Sequence, residues 1–125
     1  MSAETLMPYE KLIAYQVARE LRRLVTEAAI RDAGLRDQAR RASRSVCLNI
    51  AEGTGRITPA EQARSYTIAR GELSEVGSAL ELAAEDGDLS AEMAQRGREL
   101  TLRAFALLTA LIRSCPASPR SSRGA

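Results

Sequence analysis

The sequence contains no histidine and no tryptophan, and only 3% of its 125 residues are aromatic. Without histidine, the chain cannot build a Ser-His-Asp or Cys-His nucleophile, an imidazole general base or a histidine-containing zinc site. Its two cysteines, Cys47 and Cys115, form no CxxC motif, so thiolate metal sites and redox pairs are not expected. The sequence therefore predicts a protein that is not an enzyme, with no catalytic residue, no metal site and no cofactor.

Long apolar runs are also missing. None reaches the roughly 18 residues that suggest a membrane span, and the first residues lack the basic-then-apolar pattern of a signal peptide. Two isolated cysteines are typical of a reducing compartment. From these features we expect a cytoplasmic protein without a membrane anchor.

Lysine is nearly absent, because Lys11 is the only lysine among 18 basic residues, while the formal net charge is only +2. Arginine suits phosphate binding, since its planar guanidinium presents several hydrogen-bond donors. A GC-rich genome, which raises arginine and alanine together, accounts for the same bias without any function. Composition alone leaves both interpretations open.

Apolar residues that recur every three or four positions predict helices along most of the chain. The first helix is expected from Pro8 to about Ala29, with proline at its first position. The second is expected from about Leu35 to Glu52. Gly53 then follows as the residue that ends it.

The third and fourth helices have clear start signals. The run Thr58-Pro59-Ala60-Glu61 is a capping box with proline at the first helical position. Gly87 is expected to stop this helix, and Ser90 is expected to cap a fourth helix that ends near Ser114.

Short connections between the four helices predict antiparallel neighbours. The predicted fold is therefore an all-α, up-down-up-down four-helix bundle over residues 1–115. Residues 116–125 lack apolar periodicity and are predicted to form a flexible tail.

The fourth helix is apolar nearly all round, which indicates burial on more than one side. A four-helix bundle buries one stripe per helix, so a second apolar face predicts contact with another copy of the chain. An unusually wide interface within one subunit is the alternative. The candidate residues for an oligomer interface are Leu102, Phe105, Leu108 and Ile112.

The second helix carries a polar stripe beside its apolar one. Its members, spaced three or four apart, are Gln38, Arg41, Ser45, Asn49 and Glu52. Arg70 and Glu75 of the third helix are the expected partners in a polar network that fixes helix register. The alternative is a ligand or catalytic site with Glu52 as base, which no accompanying nucleophile or metal ligand set supports.

Residues 100–125 contain arginines and no acidic residue. Arg103 and Arg113, together with Arg40 and Arg44 of the second helix, are candidates for contact with nucleic-acid phosphates. They could equally meet the acidic third helix of a neighbouring subunit.

Several short motifs in the first three helices match the pattern of a known family. They are Tyr15-Gln16-Val17-Ala18, Gln38, Arg41-Ala42, Ser45, Asn49-Ile50-Ala51-Glu52-Gly53, Gly55-Arg56, Ile68-Ala69-Arg70-Gly71, Leu73 and Glu75. In these motifs the chain resembles the small four-helix-bundle proteins first named from intervening sequences in bacterial large-subunit ribosomal RNA genes, of which the accessory protein of diversity-generating retroelements is a relative. The resemblance covers about residues 9–112. Glu72 departs from the family pattern, which usually has serine there.

The resemblance implies a closed ring of subunits, usually a pentamer, without known catalysis or cofactor. It also implies, from the retroelement members, a basic surface that contacts nucleic acid. Two hypotheses follow. The chain is either an oligomeric scaffold that binds nucleic acid or a nucleoprotein, or a protein-interaction or structural assembly without that role.

Overall fold

The computed structural model of the chain describes residues 6–116. Throughout this range the regular structure is helical, and no strand is present. A short 3₁₀ turn precedes four α-helices, which confirms the all-α prediction. Their bounds are Pro8–Lys11 for the turn, and Ile13–Glu27 (α1), Ala33–Gly55 (α2), Pro59–Glu85 (α3) and Ala91–Ser114 (α4). The predicted tail falls on residues that lie, except for Pro116, outside the described range.

Each helix packs against two others, because consecutive helices are in contact and α1 also contacts α4. The four helices therefore enclose one hydrophobic core. Small residues such as Ala39, Ala42, Ala69 and Ala83 are fully buried in it, and they let the helices approach closely. The largest side chains that are fully buried come from all four helices and the loop after α1, and include Leu21, Ile30, Ile50, Leu73 and Leu108.

The first helix is shorter than predicted at both ends. Leu12 has extended backbone, with φ −77° and ψ 128°, and it separates the 3₁₀ turn from α1. At the other end, Ala28 is extended as well, and both Ala28 and Ile30 are buried. An apolar residue beyond the helix must reach the core, so the chain leaves helical geometry at Glu27 instead of Ala29.

The second helix is longer than predicted, because Gly53 does not end it. α2 continues to Gly55, and Gly53 is a buried residue inside the last turns. At its start, the Asp32 carboxylate accepts a hydrogen bond from the Leu35 N–H at 2.7 Å and caps the helix.

The predicted start and stop signals around α3 and α4 are confirmed. The Thr58 hydroxyl accepts from the Glu61 N–H, and the Glu61 carboxylate accepts from the Thr58 N–H in return. Gly87 has φ +80°, a conformation that favours glycine, and it stands after the end of α3. The Ser90 hydroxyl accepts from the Met93 N–H and caps α4.

Candidate functional site

Five side chains of α2 and α3 meet along the outer edge of the contact between these helices. We call this group the α2–α3 polar cluster. Glu75 Oε1 accepts hydrogen bonds from Arg41 Nη2 at 2.8 Å and from Gln38 Nε2 at 3.1 Å. Arg41 Nη1 lies 3.6 Å from Glu72 Oε1, which is long for a hydrogen bond. The members are Gln38, Arg41, Ser45, Glu72 and Glu75.

The pKa values of the two glutamates in the cluster are shifted in opposite directions. Burial raises the pKa of Glu72, helped by a hydrogen bond to Glu75 and by the charge of Glu75, while Arg41 and Ser45 act in the other direction. Hydrogen bonds from Gln38 and Glu72 lower the pKa of Glu75, and Arg41 adds to this. A single guanidinium therefore serves two carboxyl groups.

Of three other residues expected in this network, Glu52 and Arg70 lie apart from it, and Asn49 contacts it only through Ser45 of its own helix. Asn49 donates to the Ser45 carbonyl and hydroxyl oxygens, one turn earlier in its own helix. Glu52 forms an ion pair with Arg56, four residues further on. Arg70 faces α4. Glu72, which was not expected in the network, takes a central place because α3 turns it toward α2 beside Glu75.

Arg70 connects α3 to α4. Its Nη1 donates to the Thr109 hydroxyl at 3.3 Å, and its guanidinium carbon lies 5.4 Å from the centre of the Phe105 ring. The second distance is that of a cation–π contact. Arg70 is therefore a contact between helices of one subunit, on the side of α3 away from α2.

Gly53 lies close against α3. A Cβ atom built on Gly53 would lie 2.6 Å from Tyr66 Cε1, closer than two carbons can pack. Beside it, the hydroxyls of Thr54 and Tyr66 lie 3.2 Å apart and share a hydrogen bond. Gly53 is thus a packing residue. Its neighbour Tyr66 is on another helix, so no local pattern around Gly53 indicates this contact.

The four candidates for an oligomer interface separate into two groups. Leu108 is wrong as an interface residue, because it is 0% exposed within a single subunit and fills the core between helices. Ile112 is half-buried against the same core. Leu102 and Phe105 are exposed at 57% and 41%, so they remain available for contact with another molecule.

Leu102 lies at the rim of a groove between α3 and α4. The groove has a volume of about 750 Å³. Gly77, Ala84 and Ala94 keep it open, because they carry little or no side chain. Glu81 and Glu85 also line it, and neither has an ion-pair partner among residues 6–116.

Arginines gather on the opposite side, where α1 meets α2. Burial raises the pKa of the Cys47 thiol, and Arg22 and Arg19 oppose that shift, so both arginines lie near Cys47 on α2. Arg40 reaches from α2 to the Thr26 carbonyl of α1 at 3.3 Å. Arg44 follows one helical turn later. We call Arg19, Arg22, Arg40 and Arg44 the α1–α2 arginine face.

All four arginines of this face are exposed, and none forms an ion pair with a carboxylate in the described part of the chain. Sequence reasoning proposed Arg40 and Arg44 but missed Arg19 and Arg22. Their three-residue spacing puts them on one side of α1, and this signal could have found them. The other two candidates, Arg103 and Arg113, are exposed on α4 and do not belong to this face.

A further contact ties the loop before α2 to the loop after α3. Asp88 accepts from Arg31 Nε at 2.6 Å and from the Arg31 N–H at 3.0 Å, and Arg31 Nη2 donates to the Asp86 carbonyl at 2.9 Å. The hydrogen bond from the Arg31 N–H and then those from its side chain lower the pKa of Asp88. The sequence showed no sign of this contact, because 57 residues separate the partners.

Over residues 6–116, no set of three or more histidine, cysteine or acidic side chains is arranged to hold a metal ion. Among the helices of that range, none is both long and apolar enough to cross a bilayer.

These features define an all-α protein of four helices with a polar α2–α3 edge and an open α3–α4 groove. The model of one family, described as 23S rRNA-intervening sequence protein, matches residues 10–110. The chain belongs to this family.

A solved structure supports the fold assignment. It is a protein of unknown function from the S23 ribosomal protein family of Bacteroides thetaiotaomicron. The two chains are 19% identical and align with a TM-score of 0.75, over 82% of this chain and 96% of the other. At this identity the likeness shows a shared fold. No functionally curated protein matches the sequence.

Proposed function

We propose that the protein is a non-enzymatic, homo-oligomeric scaffold that binds nucleic acid or a nucleoprotein through its arginines. The observation that carries this proposal is the α1–α2 arginine face. Its four exposed guanidiniums have no carboxylate partner in the described range. Fixed cations that are not neutralised within a subunit attract phosphates and release counterions on binding.

The geometry of the face fits contact with a phosphate backbone. Arg40 uses one donor on the Thr26 carbonyl, which fixes its position and leaves other N–H groups free. Arg44 stands one turn further along the same helix, so its guanidinium extends the row of charge. Contacts of this type are independent of base sequence, and we expect binding without strong sequence preference.

Oligomerisation is supported by exposed apolar surface at two separate places. Leu102 lines the α3–α4 groove and Phe105 is exposed on the same helix, while Ile57 at the α2–α3 turn is 92% exposed. A closed ring uses two different surfaces of each subunit, which contact one another head to tail. The proposal includes the up-down-up-down arrangement and the pentameric ring that the family resemblance implies, together with the kinship to retroelement accessory proteins.

The test is a salt titration of binding to generic duplex and single-stranded RNA and DNA, followed by fluorescence anisotropy. The double variant Arg40→Gln, Arg44→Gln should weaken binding and reduce the salt slope by about one for each lost phosphate contact. The matched control is Arg64→Gln, Arg98→Gln, which removes the same charge away from the face. Equal effects of both variants, or no binding by the wild type at about 50 mM salt, would reject the proposed interface.

The second candidate function is an assembly without nucleic-acid binding, favoured by the open groove beside Leu102. Light scattering separates the two. An oligomer that binds no nucleic acid supports this second function, whereas a monomer at micromolar concentration contradicts oligomerisation in both.

A further inference from the structure

The α2–α3 polar cluster contains a carboxyl oxygen that has no hydrogen-bond donor. Glu72 Oε1 is buried, and in the described part of the chain it has no partner within hydrogen-bonding distance. The Glu72 side chain is 19% exposed, against 38% for Glu75. An ionised carboxylate oxygen that is shielded from water and lacks a donor is unfavourable.

The carboxyl group of Glu75 is the neighbour with which the Glu72 carboxyl could share a hydrogen bond. Arg41 Nη2 lies 2.8 Å from Glu75 Oε1 and Arg41 Nη1 lies 3.6 Å from Glu72 Oε1, so the two carboxyl groups are neighbours at one guanidinium. Two ionised carboxylates have no proton between them, so such a contact is repulsive unless one of them is protonated. A proton on Glu72 turns the same contact into a donated hydrogen bond to Glu75.

The partners of each glutamate decide where that proton resides. Glu75 accepts from both Arg41 and Gln38 of α2, and these donors favour its ionised form. Glu72 has only the longer contact to Arg41 and the hydroxyl of Ser45 to oppose its burial. The charged groups that face Glu72 are thus Arg41 from α2 and Glu75 from α3.

We propose that Glu72 and Glu75 share one proton, carried by Glu72, and that this proton makes the contact between α2 and α3 sensitive to pH. The inference goes beyond the proposed function and is independent of whether nucleic acid is bound. It assigns the cluster a role as a pH-sensitive contact within one subunit.

The direction of the pH effect follows from the two glutamates. The pKa of Glu72 is raised on folding, so its contribution to stability is present at low pH and lost as pH rises through the raised pKa. The pKa of Glu75 is lowered, so its contribution is lost as pH falls through the lowered pKa. The contact is strongest between these two pKa values, where one proton is bound.

The experiment compares thermal unfolding of the wild type and Glu72→Gln from just below the ordinary glutamate pKa of about 4.3 up to about pH 9. Glutamine keeps a donor toward Glu75 but cannot lose a proton. We expect the wild type to lose melting temperature relative to Glu72→Gln as pH rises. The matched control is Glu81→Gln, which removes an exposed carboxylate of the same helix outside the cluster, and should follow the wild-type curve.

A direct measurement accompanies the melts and requires no variant to fold. Carbon-13 NMR of the side-chain carboxyls in the wild type should show Glu72 titrating above the ordinary glutamate value and Glu75 below it. Coincident midpoints for the two groups, or a Glu72→Gln melting curve parallel to the wild type at all pH values, would overturn the proposal.

Discussion

The two contacts that α3 makes inside the subunit are built differently. Toward α2, the helices come close at Gly53 and Tyr66, and polar side chains close the outer edge from Gln38 to Glu75. Toward α4, Arg70 bonds Thr109, but a groove of about 750 Å³ is open on the outside. Polar side chains therefore bridge α2 and α3 at the cluster, whereas toward α4 the groove stays open beside the exposed Leu102, and we propose the α4 side as the one that meets a partner.

The first prediction has the largest expected effect and compares a buried and an exposed leucine of α4. Leu108→Ala should lower the free energy of unfolding by about 2–5 kcal/mol, since a cavity forms at a residue that is 0% exposed. Its control is Leu102→Ala on the groove. The melting temperature of a monomer should hardly change in that variant, and a loss similar to that of Leu108→Ala would mean that a second molecule covers the groove.

The second prediction tests the close approach on the α2 side. Gly53→Ala should cost about 1–3 kcal/mol in unfolding free energy, because its Cβ would meet the Tyr66 ring at 2.6 Å and the ring must shift. Gly71→Ala is the matched control in α3, where no neighbour lies within 4 Å. Chemical denaturation should show a gain of about 0.5–1 kcal/mol for Gly71→Ala. Equal gains in unfolding free energy for both variants would mean that Gly53 lies further from Tyr66 than the structure shows.

The third prediction concerns the contact between Arg31 and Asp88, which joins the loop before α2 to the loop after α3. Asp88→Asn should lower the melting temperature less than Gly53→Ala does. The Asp88 side chain is only 3% exposed, but the asparagine oxygen can still accept from the Arg31 N–H, and the lost ion pair is with a side chain that is 77% exposed. Because the pKa of Asp88 is lowered on folding, the stability it contributes is present above its ordinary pKa and lost as pH falls through the lowered value. Acid titration of the melting temperature should therefore be shallower in the variant. An unchanged acid profile would contradict the contact.

The smallest effect sharpens the boundary of the polar edge. Glu52→Ala should cost only about 0.3–0.5 kcal/mol, because its ion pair with Arg56 is an exposed pair four residues apart on one helix. Asn49→Ala should also change stability little, since its bonds stay within its own helix. Thermal melts of both variants check this. A large loss in either would show that the α2–α3 polar cluster extends further than Ser45.

Local sequence signals determined the helices of this protein. The Thr58 capping box, the Ser90 cap and Gly87 each act through hydrogen bonds or backbone freedom within a few residues, so the sequence alone located the ends of α3 and the start of α4. The polar stripe of α2 was likewise visible as a spacing, and it led to Gln38, Arg41 and Glu75.

Contacts between distant residues were decided by the tertiary structure. The sequence around Gly53 is typical of a helix end, yet α2 continues past it, and Gly53 packs against Tyr66 of α3. Leu108 and Leu102 belong to the same apolar run, and only the position of the neighbouring helices buries one and exposes the other. The sequence lacks histidine and so lacks the usual titrating side chain near neutral pH. The packing of α2 on α3 brings the Glu72 and Glu75 carboxyls beside a single arginine and shifts their pKa values in opposite directions, because proximity and burial, which set a pKa, exist only in the folded chain.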